Sequence, residues 1–118
     1  MKWTVILHDE FEAELLALDA DVRVGIAARA KLLAEHGPQL GRPYVDTLTG
    51  SRHVNMKELR FDAGNGVWRV AFAFDPVRQA VLLVAGDKAG ANQKRFYEQL
   101  IRVADKRFSG WLEPKKRG

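Results

Sequence analysis

The chain has 118 residues, 47% of them hydrophobic and 29% charged, the balance of a single soluble globular domain over 1–118 rather than of a disordered chain. Cysteine is absent, which excludes disulfides, a thiol nucleophile and cysteine-held metal centres, and His8, His36 and His53 lack the spacing of a metal site. The net charge of +4 is uneven: residues 1–50 hold five Lys/Arg against eight Asp/Glu, whereas residues 51–118 hold fourteen against seven, so a polyanion is expected on the second half.

Trp3 to Leu7 is a β-branched and aromatic run that predicts a first strand. Asp9 follows as a cap, and Phe11, Leu15 and Leu18 recur at helical spacing. Asp19 or Asp21 caps a second helix whose apolar face is Val22, Ile26, Ala30, Leu33 and Ala34, and Gly37 with Pro38 stops it. The pair is expected to form an antiparallel hairpin. Residues 38–54 carry Pro38, Gly41, Pro43 and Gly50 without any period and are expected to be loop.

Three strands come next. Met56 to Phe61 alternates, with Lys57, Leu59 and Phe61 on one face and Met56, Glu58 and Arg60 on the other. DAGNG, residues 62–66, is a hairpin signal. In the following run Trp68, Val70, Phe72 and Phe74 point one way and Val67, Arg69, Ala71 and Ala73 the other. After the DPVRQ turn, Ala80 to Ala85 is apolar on both faces, as in a strand inside a sheet. Asn92 caps a last helix with Phe96, Leu100, Ala104 and Phe108 on one stripe, and the tail EPKKRG is polar and expected to fray. The expected fold is α+β, in the order β-α-α-β-β-β-α, with a mainly antiparallel sheet and the helices packed on one face. No run reaches the roughly 20 apolar residues of a membrane span, and the N-terminal apolar run is too short for a signal peptide, so a cytoplasmic location without a membrane partner is expected.

The chemistry is expected on the other sheet face, open and shallow, where Arg60 and Arg69 would form a phosphate platform beside Glu58 and the small Ala71 and Ala73. A solvated face in which Glu58 pairs with a cross-strand arginine fits the same pattern. GDKAGANQK, residues 86–94, places Lys88 and Lys94 about a helix N-terminus, as an anion site or as an ordinary turn before a capped helix.

KELRFDAGNGVWRVAFAFDP at 57–76, followed by AVLLVAGDKAGANQKRFYEQLIRVAD at 80–105, resembles the RelE/ParE superfamily of type II toxin–antitoxin toxins, in its phage-derived HigB-like branch. The resemblance implies a RelE-like fold and ribosome-dependent mRNA cleavage without metal or other cofactor, the RNA's own 2′-OH attacking the adjacent phosphorus. Arg60 and Arg69 would stabilise the pentacovalent phosphate. Lys57 and Lys88 would bind neighbouring phosphates or move protons. Lys94, Tyr97 and Arg78 would contact RNA. The implied partners are the ribosome with its mRNA and a helix-turn-helix antitoxin, through which alone operator DNA would be bound. The superfamily also contains non-enzymatic toxins directed at a host protein such as gyrase, the alternative activity. Well-described members often place a His or Tyr near a free C-terminal segment, whereas this chain carries Phe108 and Trp111 there and no His.

Overall fold

The computed structural model describes residues 2–113. Residues 114–118, nearly all of the EPKKRG tail, lie outside the described residues. The elements are β1 (Thr4–Leu7), α1 (Asp9–Leu15), α2 (Ala20–His36), β2 (Val45–Thr47), β3 (Lys57–Ala63), β4 (Gly66–Phe74), β5 (Gln79–Asp87) and α3 (Gln93–Leu112). The sheet runs β1-β5-β4-β3-β2, with β1 parallel to β5 and the other neighbours antiparallel.

Local chemistry accounts for most boundaries. His8, not Asp9, caps α1: its Nδ1 accepts from the Glu10 N–H at 3.1 Å, and Asp9, Glu10 and Glu12 fill the acidic first turn. Asp19 stands at the α2 cap position and makes no side-chain capping bond. Gly37 ends α2 at φ 57°. The β3–β4 hairpin turns on Gly64 and Asn65, Gly64 at φ 56° supplying the left-handed residue that opens a type II′ turn. Asn92 caps α3, accepting from the Arg95 N–H at 3.1 Å.

The expected elements are present with two additions, a short 3-10 turn over Gly37–Gln39 and the three-residue β2 inside the segment read as loop. One detail of the packing is corrected, since the helices divide between the two faces. Phe11 of α1 and Val22, Ile26 and Leu33 of α2 bury Leu59, Phe61, Val70, Phe72 and Leu82. Leu100, Ala104 and Phe108 of α3 bury Met56, Ala71, Ala73, Val81 and Leu83 on the opposite face. Ala71 and Ala73 are small because a helix sits on them.

Candidate active site

The antiparallel register sets Arg60 of β3 directly opposite Arg69 of β4, Glu58 opposite Ala71, and Asp46 of β2 opposite Glu58. Residues facing each other across a ladder share a sheet face, so all of these side chains lie on the α3 side. Gly86 of β5 faces Arg69 across the next ladder and lets the first turns of α3 come close: a Cβ there would stand 2.9 Å from Phe96 Cε1. The helix therefore covers the Ala71 and Ala73 end and brings Gln93 and Tyr97 alongside the charged end. A polar groove of about 350 Å³ results, lined among others by Asp46, Glu58, Arg60, Lys88, Gln93 and Tyr97.

The platform is not the open, shallow face expected from the strand pattern. Glu58 is 5% exposed and Arg69 6%, so both lie beneath the rim, while the Arg60 side chain, 32% exposed, reaches the surface. Arg60 Nε lies 3.8 Å from Glu58 Oε2, and Arg69 Nε lies 3.8 Å from Glu58 Oε1. These are ion pairs beyond hydrogen-bond length. As a consequence Glu58 Oε1, Arg60 Nε and Arg69 Nε are buried with no hydrogen-bond partner, and among the described residues the only other buried side-chain N or O atom in that condition is Arg29 Nε. Native folds leave few such groups. Three of them lie together here.

The electrostatics agree. Burial pushes the Glu58 carboxyl up, outweighing the Tyr97 hydroxyl and the charges of Arg69, Arg60 and Lys88, which favour its ionised form. Burial, followed by repulsion from Arg69, pushes the Lys88 ammonium down. Burial likewise raises the Tyr97 hydroxyl, which interacts with both Arg69 and Glu58. Lys88 Nζ stands 5.5 Å from the centre of the Tyr97 ring. A carboxyl shifted up beside an amine shifted down is a pair whose environments move both groups toward each other's range, a feature of acid–base sites.

Of the residues expected from the sequence, the fold gathers Arg60, Arg69, Lys88 and Tyr97. Lys94 is exposed and lines a neighbouring cleft of about 710 Å³ that shares Thr49, Gln93 and Tyr97 with the groove. Lys57 is not gathered: it pairs with Phe72 on the α1–α2 face. Arg78 lies in the β4–β5 turn, at the far end of that hairpin from Arg69, with its guanidinium 4.5 Å from the Trp3 ring. Glu58 and Asp46 are the groove members that the sequence reading missed as functional. Glu58 alternates with Arg60 and was legible as a neighbour, while Asp46 sits on a strand too short to show a period.

The segment between β2 and β3 is held in place by α3. Asp105, 8% exposed, accepts from Ser51 Oγ and, at 3.0 Å, from the Arg52 N–H. His53 bonds Ser109 Oγ through Nε2 at 3.0 Å and meets Phe108 edge to face. His53 thus works as a packing residue, and the loop it anchors fixes Thr49 at the groove wall.

Three comparisons bear on this site. The family model described as phage-derived protein Gp49-like matches residues 13–109. Two toxin candidates of Mycobacterium tuberculosis are similar in sequence. HigB3 is 48% identical over 92% of this chain and 92% of its own length. HigB2 is 43% identical over 98% of this chain but only 60% of its own length. Among solved structures, an arginine double mutant of the Escherichia coli toxin RelE in the free state superposes with a TM-score of 0.66 at 13% identity, covering 91% of this chain and 98% of that one. The archaeal RelE chain from the RelE–RelB complex of Pyrococcus horikoshii gives 0.55 at 18% identity, over 77% of this chain and 100% of that one. At these identities the structural matches speak for the fold.

Proposed function

The chain belongs to the phage-derived Gp49-like family, as a HigB-type toxin of the RelE/ParE superfamily, and from that premise we propose that it cleaves mRNA on the ribosome through the Arg60–Arg69 groove. The supporting observation is the cross-strand arginine pair around a buried, incompletely partnered carboxylate.

In this reading an RNA phosphodiester enters the groove against Arg60 and Lys88, with Arg69 buried behind them. Glu58, raised toward neutrality by burial, takes the proton of the 2′-OH as the 2′-oxygen bonds to phosphorus. The arginines spread the charge of the pentacovalent intermediate. The P–O5′ bond then breaks, and the 5′-oxygen receives a proton from Lys88 or Tyr97, leaving a 2′,3′-cyclic phosphate and a 5′-OH. Atoms balance without water, metal or cofactor. The groove takes over the proton transfers that a C-terminal His would otherwise perform.

The site is cytoplasmic by substrate, since translated message is found there. The partner is an antitoxin with a helix-turn-helix that blocks ribosome entry, and the pair binds its operator through the antitoxin. Pulse expression without antitoxin, followed by mapping of mRNA 5′ ends, tests the reading: codon-phased new ends are expected. Growth arrest with unaltered mRNA ends and induced DNA damage would instead favour a non-enzymatic toxin acting on gyrase.

A further inference from the structure

The fourth unpartnered atom, Arg29 Nε, belongs to a second recess. β2 pairs with β3 only as far as Leu59, with one more bond from the Arg60 N–H to the Tyr44 carbonyl at 2.8 Å. Beyond that point the β3 edge is uncovered. There a polar recess of about 360 Å³ is lined by Arg29 of α2, Pro43, Tyr44, Arg60, Phe61, Asp62 and Arg69. Arg29 is half-buried, with its guanidinium 5.2 Å from the Phe61 ring centre.

Three guanidinium groups thus line one small cavity in which the only lining carboxylate is Asp62, while Glu58 and Asp46 face Arg60, and Glu58 faces Arg69, from the groove side at 3.8 Å. Each of the three has its Nε buried and without a hydrogen-bond acceptor. The side chain of Arg69 is 7% exposed, its Nη1 donates to the Trp68 carbonyl at 2.9 Å and its Nε stands 3.8 Å from Glu58 Oε1, so the fold holds its charge out of water with the Nε–H donor unmade. Like charges packed this way repel, and a buried donor left unmade is costly. Both penalties are relieved by the same thing, an anion with several oxygens. A phosphate meets planar guanidinium donors well. Because Arg60 lines both the recess and the groove, an anion in one is adjacent to an anion in the other.

We propose that this recess is a second phosphate subsite, in which Arg29 joins Arg60 and Arg69 to hold the RNA backbone phosphate next to the one in the groove. The inference rests on the groove being the RNA site and adds a residue from α2, an element otherwise concerned only with the core. Arg29 is a binding residue in this scheme and does not touch the scissile phosphorus.

The test uses the whole chain and two probes. Inorganic phosphate is titrated while the 15N–1H signals of the arginine Nε–H groups are followed; a saturable shift of Arg29 together with Arg60 and Arg69 is expected. An Arg29 signal that does not move would overturn the subsite. In parallel, 2′-O-methyl RNAs with one and with two phosphodiesters are compared. Arg29→Gln should weaken the longer probe about tenfold, lower its salt slope by about 0.7 and leave the shorter within twofold, while Arg29→Lys keeps part of the difference. Equal weakening of both probes, or of neither, in variants that melt as the wild type does would refute it. A phosphate response at Arg29 in a protein that binds neither RNA would uphold the anion subsite and sink the RNA reading of the groove.

Discussion

Glu58 lies between two arginines, and its carboxyl is nonetheless pushed up, because desolvation outweighs ion pairs held at 3.8 Å. A raised carboxyl binds its proton more tightly folded than unfolded, so between the unfolded value and the raised one stability falls as pH rises. Glu58→Gln should therefore melt at or above the wild-type midpoint at pH 7 while losing about 10²- to 10⁴-fold in cleavage. A variant that melts lower but cleaves normally would show Glu58 to be a structural ion-pair partner. Arg69→Ala and Arg60→Ala should each cost about 10²- to 10³-fold in cleavage. Arg69→Lys should rescue little, since an ammonium cannot reproduce the planar donors that a buried phosphate contact needs. Single-turnover rates check all four. At this scale the sequence was informative where strand alternation applies: it put Arg60, Arg69 and Glu58 on one face and Lys57 on the other. What it could not carry is burial, which turns Glu58 from a counter-ion into a candidate base.

Among the elements, α2 and α3 are seated by opposite devices. Gly25 lets α2 approach β3: a Cβ there would stand 2.6 Å from Phe61 Cε2. Gly25→Ala should destabilise the fold by about 1–3 kcal/mol despite the better helix propensity of alanine, and Phe61→Leu in the same chain should recover part. Urea unfolding reads this, and an unchanged midpoint for the single variant would show that α2 can shift freely. On the other face a register shift between Ala71 and Phe72 leaves Leu83 outside the β4 ladder. The Leu83 carbonyl accepts from Arg107 Nη1 at 2.7 Å, and Arg107 also bonds the Glu14 carboxylate, tying α3 to β5 and α1. The Arg107 bond holds the Glu14 carboxyl below its usual value. Its contribution is thus present above the ordinary carboxylate range and lost as pH falls through the lowered value. Because the Glu14 side chain is 48% exposed, the effect is small, under about 1 kcal/mol. Glu14→Gln should unfold at slightly lower urea at pH 7 and converge with wild type in acid. A gap that persists in acid would place the loss in packing. The helix periods were legible from the chain, but the face chosen by α3 was not. Ala71 and Ala73 read equally well as an open platform and as a seat for a helix, and only the distant stripe of Leu100, Ala104 and Phe108 decides between them.

For the whole molecule, charge and topology act together. The acid-rich first half supplies α1 and α2, while the basic second half supplies most of the groove. That asymmetry orients a polyanion before any contact forms and should make association with the ribosome strongly salt-dependent. A RelE-type backbone at 13% identity shows that the layer arrangement tolerates nearly complete change of sequence, so the proposed activity has to be tested at the groove residues and not inferred from the fold. The most direct measurement of that claim is end-group analysis of mRNA cut on programmed ribosomes by wild type and by Arg60→Ala. The account predicts 2′,3′-cyclic phosphate and 5′-OH ends formed by the wild type and slowed at least about 10²-fold in the variant. Intact message in both, or cutting at equal rates, would contradict it.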